Sequence, residues 1–497
     1  MRYIMALDEG TTSARSIIYD ENLNTVAVSQ KEFTQIFPKP SWVEHDAEEI
    51  FSSQLYTMKR CLEKASLTAK DIAVIGITNQ RETTVVWDRN TGKPVYNAIV
   101  WQCRRTADYC EELAGDEAFA SHVKESTGLL IDPYFCATKI KWILDNVSGA
   151  REKAEAGELL FGTIDSWLVY NLTGGTAHIS DYSNVSRTML FDINRLEWDR
   201  TILERLGIPE SMLPALVPSS GICAYTDEAL LGVKIPIGGI AGDQQSSLFG
   251  QCCFEEGQTK NTYGTGCFLL MNTGQKPAAD SGQLVNTIAW NIEGKTHYAL
   301  EGSVFTGGAV IQWLRDELKI IDTAPESYDA AMKVPDTAGV YIVPAFTGLG
   351  APHWNADARG IITGITRGAG RNHIIRAALE AIAYQVKDLA VCLEETAGIT
   401  LKELNVDGGA CTNDFLMQFQ SDIMGIPVTR PVNIETTALG AAMLAALAYG
   451  IFPDQESLCG IRKTEKIFTP SMDTETADKL TAGWRAAVKR CTMETEG

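Results

Sequence analysis

The stretch Asp8-Glu-Gly-Thr-Thr-Ser13 lies between two apolar, strand-like runs, Tyr3–Leu7 and Ser16–Tyr19. About half a chain later, Tyr263-Gly-Thr-Gly266 is enclosed by strand-like runs in the same way. A loop of Gly, Thr and Ser lets backbone N–H and hydroxyl donors approach an anion closely. The pair therefore predicts a duplicated fold that holds a polyphosphate from both sides.

Composition limits the classes of partner. The chain has 497 residues, a net charge of −20 and 45% apolar residues, and its isoelectric point is about 4.8. At roughly 150 residues per domain, this length allows two to four domains. Nucleic acid and anionic membranes require basic surfaces, so we expect neither as the main partner. An anionic small molecule remains possible, because a few Arg and Lys side chains and Mg²⁺ can hold one.

No targeting or membrane segment is expected. The N-terminal apolar run stops at Asp8, which is too short for a signal peptide. The most apolar helical stretch, Ala438–Tyr449, cannot span a bilayer. The 12 cysteines are scattered without a Cys-x-x-Cys pair, which favours buried thiols in a reducing compartment. These features predict a cytoplasmic protein without an integral membrane segment.

Strand and helix patterns alternate in both halves. Ile72–Thr78 is a continuous apolar run, typical of a strand buried on both faces. Apolar residues at helical spacing predict an amphipathic helix over His373–Leu393. Asn413–Met424 is also predicted to be a helix, capped by Thr412 and ended by Gly425. Such alternation indicates an α/β fold, whose two halves we expect to pack around a cleft.

Several common nucleotide and metal motifs are missing. Gly294-Lys-Thr296 would end a P-loop, but the leading Gly of that motif falls on Ala289. There is no Gly-x-Gly-x-x-Gly and no His-Arg-Asp of the protein-kinase type. The 6 histidines are dispersed, which argues against zinc.

Four motifs occur in the order used by the superfamily of sugar kinases, actin and heat-shock chaperone ATPases, which the chain resembles: Asp8–Ser13, Asp243-Gln-Gln245, Tyr263–Gly266 and Asp407-Gly-Gly409. Two further patterns resemble the signatures of the FGGY carbohydrate kinases: Tyr134-Phe-x-x-Thr-Lys-x-Lys-Trp142, and Gly360-x-x-x-Gly364 with His373-x-x-x-Ala377-x-x-Glu380. Three more resemble the glycerol-phosphorylating branch of that family: Asn79-Gln-Arg-Glu-Thr83, Trp101-Gln-Cys-Arg-Arg105 and Ala241-Gly-Asp-Gln-Gln245. The resemblance runs from about Tyr3 to about Phe452.

The resemblance implies two ribonuclease-H-like, actin-like ATPase domains on either side of a cleft. Residues 1–250 would hold glycerol and the first phosphate loop, and residues 251–497 would hold the nucleotide and the second loop. The implied reaction is the ATP-dependent phosphorylation of glycerol to sn-glycerol 3-phosphate, with Mg²⁺ as a cofactor. Relatives of this kind are commonly dimers or tetramers, which predicts a homo-oligomer.

The resemblance also implies roles for individual residues. The glycerol-binding set would be Arg81, Glu82, Tyr134, Asp243 and Gln244. The ATP-binding set would be Thr11, Thr12, Ser13, Arg15, Thr265, Gly308, Gln312, Gly409 and Asn413. Asp8 and Asp243 would hold Mg²⁺. The family usually has Gln where this chain has Glu9.

The chemistry of a polyol fits these residue types. Each hydroxyl can donate and accept one hydrogen bond, so Arg81 could donate to two hydroxyls and Glu82 could accept from one. Trp101 and Phe268 could form apolar walls against the C–H face. Phosphoryl transfer needs a carboxylate to accept the proton of the attacking hydroxyl, and we predict Asp243 as this general base.

Other interpretations remain open at this stage. By its local sequence, Asp243 is equally well a helix N-cap, and Arg81-Glu82 has the pattern of a solvated surface pair. The chain could instead phosphorylate a pentulose, gluconate or a tetritol. A non-enzymatic ATP switch of the actin or chaperone type is an alternative of another class, and a pseudokinase scaffold is a third.

Overall fold

Strands and helices alternate along the computed structural model, which describes residues 2–279, 283–355 and 357–493. The strands are β1 Tyr3–Glu9, β2 Ser13–Tyr19, β3 Thr25–Glu32, β4 Glu44–His45, β5 Ile72–Asn79, β6 Val85–Asp88, β7 Ala98–Ile99, β8 Leu159–Gly162, β9 Ile179–Asp181, β10 Phe191–Asp192, β11 Glu197–Trp198, β12 Ala215–Val217, β13 Ser220–Tyr225, β14 Pro236–Gly242, β15 Thr259–Tyr263, β16 Cys267–Gly274, β17 Val285–Ile292, β18 Lys295–Val304, β19 Tyr341–Val343, β20 Ile361–Thr363, β21 Leu404–Asp407, β22 Val428–Pro431 and β23 Thr464–Phe468.

The helices cover both faces of the main sheet. They are α1 Ala47–Ala65, α2 Ala107–Ala114, α3 Glu117–Thr127, α4 Cys136–Asn146, α5 Ala150–Glu155, α6 Ile164–Leu172, α7 Tyr182–Val185, α8 Arg200–Leu206, α9 Glu228–Leu231, α10 Asp243–Gly250, α11 Ala309–Asp316, α12 Glu326–Met332, α13 Arg371–Ala397, α14 Asp414–Met424, α15 Thr436–Ala448, α16 Gln455–Cys459 and α17 Thr474–Thr492. Short 3₁₀ turns lie at Ala69–Asp71, Glu210–Met212 and Gly409–Thr412.

The main sheet has the same strand pattern in both halves of the chain. Its 13 strands run in the order β23-β22-β21-β15-β16-β18-β17-β13-β14-β5-β1-β2-β3. In the first half, β1 pairs antiparallel with β2 and parallel with β5. In the second half, β15 pairs antiparallel with β16 and parallel with β21. The repeated pattern confirms the predicted α/β fold with two actin-like ATPase units. The division at residues 250 and 251 stays a prediction.

The main sheet and helix α15 are among the elements that join the two halves. Strand β13 meets β17 through the pair Ser220↔Ile292. Helix α15, from the second half, packs on β14, β5 and β1 of the first half. Its sequence is rich in Ala, and a Cβ on Gly76 of β5 would run into the Ala441 carbonyl. Small residues on both surfaces therefore let the helix approach the sheet closely.

The central strands have the burial expected of a parallel sheet covered on both faces. Ile4, Met5, Ala6 and Leu7 of β1 are all fully buried. Met5 and Leu7 belong to a core cluster that also contains residues of α1, whereas Ile4 and Ala6 belong to a cluster with α15. Since successive side chains of a strand point to opposite faces, β1 is the shared wall of two cores.

Three helix predictions in the second half differ from the structure at their ends. Helix α13 begins at Arg371 and continues to Ala397, where Gly398 at φ 67° ends it. Helix α14 is capped by the side chain of Asn413, so the prediction that Thr412 caps it is wrong. Thr412 instead lies in the preceding 3₁₀ turn, where its hydroxyl donates to Gly409 O. A third helix, for which the sequence pattern predicts the range Ala309–Leu318, is α11, and it ends at Asp316.

Two findings concern membranes and thiols. Over residues 2–279, 283–355 and 357–493, no helix has the length and apolarity needed to cross a membrane. The cysteines are free thiols. Most are buried, as predicted, whereas Cys459 is exposed.

Candidate active site

Several of the predicted site residues lie directly after strands that pair in parallel. Glu9 of β1 and Gly242 of β14 both lie in register with Asn79 of β5, at the carboxyl ends of the three strands. In the second half, Thr262 of β15 pairs with Asp407 of β21. Carboxyl ends of parallel strands share one edge of a sheet, and α/β proteins bind ligands there.

The first Gly-Thr-Thr loop is a tight hairpin between β1 and β2. The Gly10 N–H donates to Ser13 O at 3.0 Å. Thr12 is exposed at the tip, and the Thr11 hydroxyl accepts a hydrogen bond from Trp101 Nε1 at 3.0 Å. The loop therefore presents hydroxyl and backbone groups that can contact a phosphate.

Arg15 connects the first loop to the second half of the chain. Its Nε donates to Asp8 Oδ2 at 3.1 Å, and its Nη1 lies 2.6 Å from Glu435 Oε2, just before α15. A phosphate that binds Arg15 must therefore compete with two carboxylates. Asp8 would then be released from one partner and could bind a cation.

The carboxylates in this region fit the ligand preference of Mg²⁺. Magnesium is usually held by one or two carboxylates, the phosphates of the substrate and several waters. Asp8 and Asp243 offer oxygen donors only, so they suit this arrangement. Among the described residues, no group of three or more His, Cys, Asp and Glu side chains forms a metal cage by itself.

Arg81 and Glu82 form a buried pair after β5. They are 3% and 1% exposed, so the alternative of a solvated surface pair is wrong. Arg81 Nε lies 3.1 Å from Asp243 Oδ1 and 3.8 Å from Glu82 Oε1. Glu82 also has a left-handed backbone, at φ 58°. That conformation costs on the order of 1–3 kcal/mol and is often found at functional sites.

Two buried residues that the sequence analysis did not select complete this cluster. Arg187 Nε donates to Glu82 Oε1 at 2.6 Å. Glu301 accepts from both terminal nitrogens of Arg81, at 2.5 and 2.9 Å, and from Arg187 Nη2 at 3.1 Å. Most donors of Arg81 are therefore engaged by the protein. A polyol must use the remaining N–H or replace one of these contacts.

Glu301 is charged in this environment. Burial alone would raise its pKa, but Arg187 and Arg81 lower the pKa to about 2. The sequence signal that could have identified Glu301 is a carboxylate in the apolar strand β18, because Glu is almost never fully buried unless it is paired.

Asp243 lies at the start of α10 and reaches the cluster from β14. It is the first residue of the helix, and Gly242 is the N-cap, so the alternative in which Asp243 caps the helix is wrong. The side chain of Asp243 is 32% exposed, which is more than the side chains of the other carboxylates that Arg81 contacts. Burial raises the pKa of Asp243 above its ordinary value, although Arg81 acts in the opposite direction. An accessible carboxylate with a raised pKa is suited to accept a proton.

Gln244 connects the acceptor residues to the second half through a lysine. Its amide donates to Asp243 Oδ2 at 3.1 Å, and its Oε1 accepts from Lys260 Nζ at 2.5 Å. Lys260 is fully buried on β15, four residues before the second loop. Burial lowers the pKa of Lys260 to about 8, even though Asp407 and Asp243 act to raise it. The sequence analysis missed this residue, whose signal is again a charge within a buried strand.

Tyr134 adds an aromatic side to the cluster. Its ring lies edge-on to Trp101, with 5.5 Å between ring centroids, and Arg187 lies 5.7 Å above it. Trp101 thus links Tyr134 to Thr11 of the first loop. Phe268, the other predicted wall, is half-buried and packs on one side against the core around α10 and α15, and its role as a wall stays a prediction.

The second loop packs against the start of α11. It is closed by Gly264 N–H donating to Gly266 O at 2.9 Å. The Thr265 carbonyl accepts from Gly307 and Ala309, and Gly308 N–H donates to Gly264 O. A Cβ on Gly308 would lie 2.7 Å from that oxygen, so only Gly permits this contact. Gln312 follows in the first turns of α11, where its side chain is exposed.

The predicted adenosine-binding segment follows β21. Gly408 has φ 83°, and a Cβ there would lie 2.6 Å from Tyr263 O. Gly therefore lets this segment lie directly beside the second loop. Gly409 is exposed with open space around it. Asn413 caps α14 and donates from its Nδ2 to Ser327 Oγ at 3.2 Å.

Side-chain contacts connect the acceptor cluster to the first loop, through Trp101, and to β15, the strand that precedes the second loop. Trp101 joins Tyr134 to Thr11, and Lys260 joins Gln244 to β15. By contrast, Gln312, Gly409 and Asn413 lie on elements of the second half, and Asn413 donates to Ser327 of the same half. The five residues predicted to bind glycerol are therefore brought together, and their individual roles stay predictions.

Glu9 does not lie on the exposed surface of the first loop. It is fully buried, and both carboxylate oxygens lack a hydrogen-bond partner in the structure. Burial raises the pKa of Glu9 well above its usual value, and nearby Asp8 raises it further. The protonated acid is neutral and similar in shape to the Gln that the family usually has.

Substitution of Glu9 by Gln is expected to stabilise the protein at neutral and higher pH. The pKa of Glu9 is higher in the folded protein than in the unfolded chain, where it is about 4.3. Glu9 therefore stabilises the fold below the unfolded-state pKa, and this stabilisation is lost as the pH rises through the folded-state pKa. The urea midpoint of Glu9→Gln should therefore exceed that of the wild type at pH 8, and the gap should narrow toward pH 5. Glu21→Gln, in an exposed turn, is the control. Equal midpoints at pH 8 would contradict the assignment.

Two protein-family models match this chain. The N-terminal domain of the FGGY family of carbohydrate kinases matches residues 3–250, and the C-terminal domain of that family matches residues 259–449. The glycerol kinase of Caldanaerobacter subterraneus subsp. tengcongensis is 60% identical over 98% of this chain and 98% of its own length. Glycerol kinase 2 of Thermotoga maritima is 58% identical, with 99% of each chain covered.

Two solved structures are similar to this chain in their fold. The glycerol kinase of Plasmodium falciparum, crystallised with ADP, has a TM-score of 0.94 at 39% identity, covering 100% of this chain and 99% of its own. A gluconate kinase from Lactobacillus acidophilus has a TM-score of 0.87 at 23% identity, covering 98% of this chain and 97% of its own. At that identity the second likeness supports the fold alone.

Proposed function

We propose that this chain, which belongs to the FGGY family of carbohydrate kinases, is a phosphotransferase that transfers the γ-phosphoryl group of ATP to glycerol and forms sn-glycerol 3-phosphate. The observation that carries the proposal is the buried acceptor cluster of Arg81, Glu82 and Asp243. It occurs in a chain that is 60% identical to glycerol kinases over nearly its whole length.

The acceptor would bind where donors and acceptors of hydrogen bonds converge. Arg81 would donate to a hydroxyl and Glu82 would accept from one, with Tyr134 and Gln244 completing the binding set. Trp101 and Phe268 would form the apolar walls against the C–H face. The buried ion pairs hold these groups in one orientation before the substrate arrives, which lowers the entropy lost on binding. Asp243 is the accessible carboxylate of the cluster, so it would receive the proton of the attacking hydroxyl.

The nucleotide would bind between the two hairpin loops. Thr11, Thr12, Ser13 and Arg15 would contact phosphates from the first half, and Thr265, Gly308 and Gln312 from the second. Gly409 and Asn413 would border the adenosine. Mg²⁺, held through Asp8 and Asp243, would neutralise charge on the β- and γ-phosphates. Transfer then depends mainly on positioning, which the fixed loops provide.

A substrate panel tests this function. Purified protein with ATP and Mg²⁺ should release ADP with glycerol at about 1–10³ s⁻¹, the ordinary range for enzymes. D-xylulose, D-gluconate and erythritol should each give a kcat/KM at least about 100-fold lower, because a site built to bind particular hydroxyls rejects mismatched ones strongly. Stereospecific oxidation by glycerol-3-phosphate dehydrogenase would identify the product. Preference for a sugar acceptor, or turnover without any acceptor, would contradict the proposal.

Assembly and location form part of the same proposal. We propose a homo-oligomer, a dimer or a tetramer, that works in the cytoplasm, where ATP is available. The family resemblance supports both statements. The acidic net charge of −20 supports the expectation that nucleic acid is not a partner.

A further inference from the structure

Glu301 is the carboxylate at which the two halves of the chain meet inside the acceptor cluster. It lies on β18, in the second half, and is 4% exposed. Its partners Arg81 and Arg187 both belong to the first half and are 3% and 1% exposed. No other carboxylate in the described ranges accepts hydrogen bonds from both guanidinium groups.

Both oxygens of Glu301 are used. Oε2 accepts from Arg81 Nη1 at 2.5 Å, and Oε1 accepts from Arg81 Nη2 at 2.9 Å and from Arg187 Nη2 at 3.1 Å. The contact with Arg81 therefore has the two-pronged geometry that fixes the plane of a guanidinium. Glu301 thereby determines where the remaining donors of Arg81 point.

Glu301 also fixes Glu82 indirectly. Arg187 uses one nitrogen for Glu301 and its Nε for Glu82 Oε1, at 2.6 Å. If Arg187 rotated, Glu82 would lose this partner. The orientation of the donor Arg81 and of the acceptor Glu82 thus depends on one carboxylate from the other half of the chain.

The two arginines of the cluster depend on Glu301 as an acceptor. The cations Arg81, Arg187 and Lys260 face four carboxylates, Glu82, Asp243, Glu301 and Asp407. Without Glu301, the terminal nitrogens of Arg81 and Arg187 would lose their acceptor, and the two arginines would compete for Glu82 and Asp243. Such competition would draw the acceptor-binding carboxylates away from their positions.

We propose that Glu301 is a positioning residue of the acceptor site, which holds Arg81 and, through Arg187, Glu82 in the orientation that binds the polyol hydroxyls. The inference rests on the proposed function, because it names the residue that orients the glycerol-binding groups. Glu301 acts on the substrate through the two arginines.

Two substitutions test the proposal. Glu301→Gln removes the charge, and Glu301→Asp keeps the charge but shortens the side chain by one methylene. A displacement of about 1 Å in a positioned group can cost about 10²-fold in rate, so we expect kcat/KM for glycerol to fall by about that factor in Glu301→Gln. Glu301→Asp should raise KM for glycerol by about 10-fold, which in free energy is half of the loss expected for Glu301→Gln. The ADP dissociation constant should change less than twofold in both variants.

The control is another buried glutamate that pairs with an arginine. Glu380 is 4% exposed and accepts from Arg376 Nε at 2.8 Å, in α13 and outside the cluster. Glu380→Gln should leave KM for glycerol unchanged, whatever its effect on the melting temperature. If Glu301 had a purely structural role, its variants would behave like Glu380→Gln. A change in KM for glycerol without a change in ADP affinity therefore distinguishes a positioning role from a structural one.

The outcomes distinguish the inference from the proposed function. Wild-type protein that does not phosphorylate glycerol would contradict the function itself. If the wild type is active, folded Glu301 variants with KM and kcat within twofold of it would overturn the positioning role. Failure of Glu301→Asp to fold under conditions in which Glu380→Gln folds would also overturn it, because Glu301 would then serve folding.

Discussion

Asp243→Asn is expected to lower kcat by about 10²–10⁴-fold, the usual effect of losing a general base. The substitution keeps the size of the side chain and one oxygen that can accept the Gln244 N–H, which now donates to Asp243 Oδ1 at 2.8 Å. It removes the negative charge that can take the proton. Coupled measurement of ADP release at saturating glycerol and ATP would give the change.

The pH profile of kcat is a second test of Asp243 as the general base. Burial raises the pKa of Asp243, and a base is active only when it is deprotonated. Wild-type kcat should therefore rise with pH through a pKa above the ordinary value for Asp. The residual activity of Asp243→Asn should not show this rise.

Asp199→Asn is the matched control. Asp199 is 7% exposed and caps α8 by accepting from Ile202 N–H at 3.0 Å. Asn caps helices about as well as Asp does, so folding and kcat should stay close to those of the wild type. Near-normal turnover of Asp243→Asn, in protein that melts like the wild type, would remove Asp243 from the role of base.

Arg187→Met is expected to destabilise the protein by about 3–5 kcal/mol, the usual cost of removing one partner from a buried ion pair. Arg187 is 1% exposed and serves both Glu82 and Glu301. Methionine fills part of the space but cannot donate hydrogen bonds. Glu82 would then keep only the longer contact with Arg81, at 3.8 Å. Urea unfolding at pH 7 would measure the change.

A second substitution tests the cause. In Arg187→Met/Glu82→Gln the carboxylate left without Arg187 becomes neutral, so the double variant should recover part of the lost stability. Arg60→Met, at an exposed pair with Glu63, is the control and should change little. A loss below about 1 kcal/mol for Arg187→Met would show that the buried network contributes little beyond packing.

The parts of the site that could be predicted from the sequence are those in local motifs. Asp8–Ser13 and Tyr263–Gly266 were recognised because turns of Gly and Thr between apolar runs mark the ends of strands. Asp243 is predicted from the motif Asp243-Gln-Gln245, which carries the family resemblance, and from the need of phosphoryl transfer for a carboxylate base. In each case the chemistry lies within a few residues of the signal.

The parts that were missed depend on contacts between distant segments. Arg81 and Glu301 are 220 positions apart, and Arg187 and Glu82 are 105 positions apart. Arg187 lies in a turn after α7, and Glu301 and Lys260 are charges in the buried parts of their strands. A charge within a buried strand shows that a partner must exist, but the local sequence does not say which one.

The sequence by itself determined the alternation of strands and helices, the two anion-binding loops and the family. Period, turn chemistry and motif order are local properties, so they can be read without coordinates. Only the tertiary structure decided which charges neutralise one another in the acceptor cluster and how little of Arg81 remains for a substrate. Those outcomes follow from the contacts of Glu301 on β18 and Lys260 on β15 with the first half, and buried charges select partners by distance in space rather than along the chain.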